Sequence, residues 1–88
     1  MASFTMILEF DGGTYISQCQ ASSPDDAAAK HVDYLVGLNG MSTLTVRRRV
    51  ADRLAQERPV AIEGVRKVWC CSASVGKKLA LVNIVATA

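Results

Sequence analysis

The sequence predicts a single small α+β domain, with elements in the order ββααββ and helices packed on one face of an antiparallel sheet. Three observations support this fold class. Apolar and polar residues alternate from Phe4 to Ala21, a helix-start signal occupies residues 22–26, and β-branched residues are frequent after Pro59. A chain of 88 residues, half of them hydrophobic, has the material for one core and no room for a second domain.

The first β-hairpin is predicted between Phe4 and Ala21. Its alternating apolar residues lie on one face of the sheet, because successive side chains of a strand point to opposite sides. Glycine tolerates the positive φ of a tight turn, so Gly12-Gly13 is expected to be the two-residue loop. That loop predicts the facing pairs Phe10–Tyr15, Leu8–Ser17, Met6–Cys19 and Phe4–Ala21, with Thr5, Glu9, Gln18 and Gln20 on the opposite face.

The first helix is predicted to begin after Ser23 and to run to about Val36. Ser23 is a favourable N-cap, Pro24 suits the first helical position, and two aspartates follow at the positive end of the helix dipole. We expect the helix to end at Gly37 or at Asn39-Gly40. The residues predicted to face the sheet are Ala28, Val32 and Leu35, with His31 at the edge of the contact.

The second helix is predicted from Thr45 to Gln56, ending before Pro59. Val46, Val50 and Leu54 recur at helical spacing. Leu44-Thr45-Val46 also alternates like the start of a strand, so the assignment of residues 43–50 stays open between helix and strand.

The second β unit is predicted between Arg58 and the end of the sequence. Val60-Ala61-Ile62 is either a short strand or a lead-in, and Gly64 is a break. Two longer strands, residues 65–75 and 79–87, are joined around Gly76-Lys77. That turn predicts the facing pairs Trp69–Ile84, Cys71–Val82 and Ala73–Ala80 on the face that meets the helices.

The other face of this second hairpin is too apolar for an ordinary solvated surface. Sizeable exposed apolar patches mark interaction sites, and small domains often gain stability from a second subunit. We therefore expect a homo-oligomer, most simply a dimer; the alternative is that the second helix covers this face within the same chain. The predicted interface residues are Val68, Cys70, Ser72, Leu79, Leu81, Asn83 and Val85.

Cysteine and histidine chemistry points to packing rather than to a reactive or metal site. Three cysteines without a signal segment indicate a reduced, cytoplasmic protein. Cys70 and Cys71 are adjacent, so their side chains lie on opposite faces of a strand and are poorly placed to share one metal ion. Cys19 or Cys71 could meet His31 in space, but no motif supports a Cys–His nucleophile. We expect no catalytic, cofactor-binding or metal-binding residue and no membrane partner.

The charge distribution raises a second possibility. Up to Leu44 five acidic residues stand against one lysine, a balance of −4, whereas from Thr45 nine basic residues stand against three acidic ones, a balance of +6. This asymmetry is typical either of complementary packing or of a nucleic-acid surface. The candidate contacts for nucleic acid are Arg47, Arg48, Arg49, Arg53, Arg66 and Lys67.

One family resemblance covers about the first third of the chain. Residues 4–17, FTMILEFDGGTYIS, and residues 23–27, SPDDA, resemble the amino-terminal hairpin and helix start of HicB-like antitoxin proteins, and still more the small uncharacterised bacterial proteins that share the Gly-Gly-Thr-Tyr and Ser-Pro-acidic-acidic-Ala signals. The chain lacks the proline- and glycine-containing segment of the HicB-like family before the helix, and it has no clear appended DNA-binding helix pair. The resemblance implies an oligomeric binding module and assigns no functional residue.

The function predicted from the sequence is a small non-enzymatic interaction module that acts as a homo-oligomer. The alternatives are a nucleic-acid-binding accessory protein and a small-ligand-binding protein with its site at the subunit junction. No ligand is identified by any motif.

Overall fold

The computed structural model describes residues 2–38 and 40–87. Five strands and two helices follow one another along the chain. They are β1 (Ala2–Phe10), β2 (Gly13–Ala21), α1 (Pro24–Val36), α2 (Leu44–Ala55), β3 (Val60–Ala61), β4 (Val68–Val75) and β5 (Lys78–Ala86). The α+β class is therefore as predicted, and the order matches ββααββ apart from the additional strand β3, which is the short-strand alternative left open for residues 60–62.

All five strands form one antiparallel sheet in the order β2-β1-β5-β4-β3. β1 pairs with β5 from Phe4↔Ala86 to Phe10↔Ala80, so the two hairpins join through their first and last strands. β3 pairs with Cys70 and Trp69 at the outer edge of β4. β4 begins later than predicted, because residues 62–67 turn back from β3.

The loop of the first hairpin begins one residue earlier than predicted, which changes the strand register. The loop is Asp11-Gly12, with φ of 50° and 80°, and Phe10 pairs with Gly13. Two positive φ values are what a type I′ turn requires, and Asp-Gly is a preferred sequence for it. Leu8 consequently pairs with Tyr15 instead of Ser17. The shift changes each partner by two residues, so every side chain keeps its predicted face.

The second hairpin has the predicted register. Trp69 pairs with Ile84, and the same alignment continues to the Gly76-Lys77 turn between Val75 and Lys78. Gly76 has a φ of 63°, as expected for a tight turn.

The amino-terminal cap of α1 is reciprocal. The amide of Asp26 donates to Ser23 Oγ at 3.0 Å, and the amide of Ser22 donates to Asp26 Oδ2 at 2.9 Å. The second bond lowers the pKa of the Asp26 carboxyl, since it favours the charged form. The helix ends at Gly37, one of the two predicted ends; Asn39 lies outside the described residues.

Residues 44–55 are helical, which answers the question left open for this segment. The Thr43 hydroxyl accepts a hydrogen bond from the amide of Val46 at 3.2 Å and caps α2. Val50, Ala51 and Leu54 are buried.

The molecule has two layers, with both helices on the same face of the sheet. The core between them contains residues from all four long strands and both helices, among them Met6, Leu8, Leu35, Val50 and Ile84. The alternative that α2 covers the other face is therefore wrong. We call that other side the open face; it carries Ser3, Thr5, Ile7, Glu9, Thr14, Ile16, Gln18, Gln20, Val60, Val68, Cys70, Ser72, Ser74, Leu79, Leu81, Asn83 and Val85.

Candidate interaction surface

The open face has an apolar centre that crosses the whole sheet. The paired positions Ile16, Ile7, Asn83, Cys70 and Val60 form one row through all five strands. Four of the five side chains in this row are apolar or weakly polar. Directly paired residues of antiparallel strands have neighbouring Cβ atoms, so the row forms a continuous surface.

The pairing of β4 with β5 brings the predicted interface residues together on this one face. Leu79 is 58% exposed, and the others are half-buried except for the exposed Ser72. The pairs are Val68–Val85, Cys70–Asn83, Ser72–Leu81 and Ser74–Leu79.

Sequence reasoning missed three apolar residues of the open face: Ile7, Ile16 and Val60. Ile16 and Val60 are 62% and 63% exposed. The alternation of the first hairpin could have revealed Ile7 and Ile16, because it places both on the face opposite the core, among polar residues. Their junction with the second hairpin depends on the β1–β5 pairing, which no local pattern reveals.

On the β1–β2 half of the open face, both ends are polar. At one end, Gln18 Nε2 donates to Thr5 Oγ1 at 3.0 Å, and Thr5 Oγ1 donates to Thr87 Oγ1 at 3.3 Å. At the other end, Glu9 and Thr14 are paired and exposed. Apolar residues next to polar ones at the margin are the arrangement found in protein interfaces.

Asn83 is the polar side chain at the centre of the face. It lies on the middle strand, between Ile7 and Cys70. Among the described residues, none of the side-chain hydrogen bonds involves the Asn83 amide. The amide offers both donors and an acceptor to whatever covers the face.

The cysteines and the histidine do not converge on one centre. Cys71 is in the core and its Sγ lies 3.9 Å from the carbonyl oxygen of Leu54, whereas Cys70 is on the open face. Burial raises the pKa of the Cys71 thiol and also that of Cys19. Within residues 2–38 and 40–87, no group of three His, Cys, Asp or Glu side chains is placed to hold a metal ion.

His31 lies deeper than predicted. It is 2% exposed, and Ala27, His31 and Leu35 form the buried stripe of α1, while Ala28 and Val32 are half-buried beside it. The ring Nδ1 lies 3.2 Å from Ser17 Oγ, whereas the buried Nε2 has no partner in the described chain. Burial lowers the pKa of the ring to about 4, so it is neutral at neutral pH. These contacts give His31 a place in the core.

Arg47 is the one buried side chain among the predicted nucleic-acid contacts. Its Nε donates to the carbonyl oxygen of Val36 at 3.3 Å, and its Nη1 donates to those of Met41 and Ser42 at 3.4 and 3.2 Å. The guanidinium therefore joins the end of α1 to the loop before α2, and it is turned away from any surface ligand.

The exposed basic residues form separate groups. Arg48, Arg49 and Arg53 lie on the solvent side of α2, and Arg66 and Lys67 lie in the loop before β4. A cleft of about 220 Å³ is lined by Arg49, Lys77 and Lys78 together with Asp11, at the opposite end of β4 from Arg66. Lys78 Nζ is already paired with Asp11 Oδ2 at 2.8 Å.

A shallow groove lies on the helix side of the molecule, between α1 and the end of α2. Its volume is about 360 Å³, and its apolar lining includes Ala28, Val32 and Pro59. The exposed ion pair of Arg58 with Asp25, 3.4 Å long, lies at its border. This groove is separated from the open face by the sheet.

Neither helix of the described chain is long and apolar enough to cross a membrane. Comparison with protein-family models, with curated proteins and with solved structures finds no match to this chain.

Proposed function

We propose that this protein is a small non-enzymatic interaction module that forms a homodimer through its open face. One observation carries the proposal: both helices pack on the same side of the sheet, and no other element of residues 2–38 and 40–87 covers the apolar row from Ile16 to Val60. A sheet with one apolar face uncovered gains free energy when that face is removed from water.

The size of the open face supports a dimer. The four long strands, about 4.8 Å apart and of eight or nine residues rising about 3.3 Å each, give a face of roughly 20 by 30 Å. Stacking two such faces buries roughly 600 Å² on each copy and about 1,200 Å² in total, the lower end of stable interfaces. The molecule measures 33 × 24 × 21 Å, so this is one of its broad sides.

The composition of the open face favours a second copy as the partner. Glu9 is its only charged residue and lies at one end, so two copies meet without like charges at the centre. Near a two-fold axis, each Asn83 amide can donate to and accept from its counterpart. A pair of this kind satisfies a group that the single chain leaves without a side-chain partner.

The test replaces Asn83 by aspartate, which keeps the shape and adds a charge at the centre of the face. Asn83→Asp is expected to weaken dimerisation at least about tenfold, because two carboxylates would be buried close together. Gln20→Glu is the matched control, since it makes the same amide-to-carboxylate change at the exposed border. Solution mass by light scattering over a range of protein concentrations measures both. Equal dimer dissociation constants for the two variants, or a wild-type protein that stays monomeric, would overturn the proposal.

A second candidate function, nucleic-acid binding, rests on the cleft whose lining includes Arg49 and Lys77. Arg48 and Arg53 extend this basic region along the exposed side of α2. Contacts with phosphate weaken steeply as salt rises. We expect any binding of generic DNA or RNA at low salt to fall strongly in the Arg49→Ala variant and little in Arg66→Ala. Absence of binding at low salt would remove this candidate.

A further inference from the structure

Within the part of the chain that the structure describes, the outer edge of β2 has backbone groups with no partner strand. β2 is the end strand of the sheet, and its pairing with β1 starts at Phe10↔Gly13, the pair that closes the two-residue turn. Pairs of an antiparallel ladder alternate between hydrogen-bonded and non-hydrogen-bonded. The N–H and C=O groups of Thr14, Ile16 and Gln18 therefore point away from β1, towards the free edge.

Lys30 marks where this free edge stops. Its Nζ donates to the carbonyl oxygen of Gln20 at 2.6 Å, which confirms that the alternate backbone groups of β2 point outward. Asp26 Oδ2 holds the same ammonium group at 3.6 Å. A lysine at an edge strand blocks further pairing, so the stretch open to another strand is residues 14–18.

The sequence of β2 lacks the other protections that edge strands carry. Residues 13–21, GTYISQCQA, contain no charge and no proline. Natural edges are usually guarded by such residues, or by a covering element, because an unpaired edge is a template for another strand. Ile16, at the middle of the free stretch, is 62% exposed.

The geometry points to a second copy of this chain as the partner strand, with β2 pairing antiparallel to β2 about a two-fold axis at Ile16. In this register Ile16 lies opposite its counterpart and Thr14 lies opposite Gln18, each pair exchanging two backbone hydrogen bonds. Gln20 lies opposite the turn at Gly12, so the Lys30 contact is left intact. The register thus uses the free stretch and nothing beyond it.

Edge pairing makes one ten-stranded sheet, with all helices on the same side. The apolar pair Ile7–Ile16 then continues into its counterpart across the axis, which doubles the open face. This edge pairing does not depend on the proposed dimerisation through the open face. Where both operate, the two sets of two-fold axes close into a tetramer.

The variant Gln18→Pro tests the edge, because it removes an N–H that the single chain does not use and inserts a ring where the second copy would bind. Gln18→Ala is the control, since it loses the same side chain and keeps the N–H. We expect the edge association of Gln18→Pro to be at least about tenfold weaker than that of Gln18→Ala, as two hydrogen bonds are lost per symmetric pair. The amide of Ile16 reports directly, because its exchange with solvent slows only when the edge is paired.

The two interfaces are distinguished by combining variants. If both interfaces form, the wild-type protein is a tetramer of two open-face dimers, Asn83→Asp is a dimer with the Ile16 amide protected, and Gln18→Pro is the open-face dimer with that amide unprotected. If Gln18→Pro has the mass of Gln18→Ala and the Ile16 amide exchanges freely at every concentration, the edge proposal is overturned and the open-face result stands separately. If only Gln18→Pro lowers the mass, the edge is the interface and the open-face proposal fails.

Discussion

The ring of His31 is buried in the core, and among residues 2–38 and 40–87 no charged group offsets the desolvation of its protonated form. It contacts the Ser17 hydroxyl and stacks at 5.9 Å on Tyr34, and its pKa is lowered to about 4. In the unfolded chain the pKa is near its ordinary value of 6.5. Below pH 6.5 the unfolded state therefore binds a proton that the folded state does not, and stability is lost as the pH falls from about 6.5 to about 4.

We expect this single group to remove about 3 kcal/mol of unfolding free energy between pH 7 and pH 4. His31→Leu should show a flatter pH dependence over this interval, measured by urea unfolding. The carboxyl groups common to both proteins cancel in the comparison. Parallel pH profiles for the two proteins would contradict the buried, neutral histidine.

Arg47 carries a prediction about the connection between the helices. Arg47→Lys keeps the charge but loses the planar group that reaches the carbonyls of Val36, Met41 and Ser42. We expect a loss of about 1–3 kcal/mol in unfolding free energy. Arg48→Lys, exposed one position further on, should change it by less than about 0.5 kcal/mol. Equal effects of the two substitutions would show that the guanidinium contacts contribute little.

The turn of the first hairpin is the element whose sequence requirement is sharpest. Gly12 has a φ of 80° and nothing within 4 Å of where a Cβ would lie, so conformation rather than space decides what fits. Gly12→Ala is expected to cost about 1–2 kcal/mol and Gly12→Asn clearly less, because asparagine tolerates the left-handed region. Thermal unfolding of the two variants measures this. Alanine and asparagine variants of equal stability would argue against the type I′ turn.

At the scale of elements, the sequence predicted those features that depend only on neighbouring residues. The cap at Ser23 and the Gly76-Lys77 turn are fixed by residues adjacent in sequence. The first loop was predicted one residue too late, at Gly12-Gly13 instead of Asp11-Gly12, because two glycines also tolerate the positive φ values of a tight turn. The predicted face of each side chain is nevertheless correct, since a shift of two residues preserves the side-chain alternation.

The strand order could not be predicted, because it depends on contacts between distant parts of the chain. β1 meets β5 through pairs such as Phe4↔Ala86, and no periodicity specifies which hairpin edges join. The same limit explains the candidate surface. The half on β4 and β5 followed from one hairpin register, whereas Ile7 and Ile16 became part of the surface only through the β1–β5 pairing. His31 was misplaced for a related reason: which side of α1 is buried depends on where α2 packs.

For the whole molecule, the decisive feature is the one-sided placement of the helices. The core is closed on the helix side, and the apolar centre of the open face remains as surface in the single chain. Because that centre is uncharged, we expect self-association through it to persist in high salt, where binding to nucleic acid is weakened. Solution mass in about 1 M salt tests this expectation, and dissociation into monomers would indicate an interface built on charge.

The reactivity of the three cysteine thiols indicates which surface is covered. Cys70 lies half-buried on the open face, Cys71 is in the core, and Cys19 is half-buried on the helix side of β2. A small thiol reagent should modify Cys70 in the dilute protein and at least about tenfold more slowly at concentrations where the dimer forms, because stacking removes the thiol from solvent. Cys71 should react slowly at both concentrations, since burial both shields it and raises the pKa of its thiol.

In Asn83→Asp, Cys70 should stay reactive at every concentration. A Cys70 that reacts equally fast in a dimer of known mass would place the interface elsewhere, and the free edge of β2 would then be the surface that holds the two copies together.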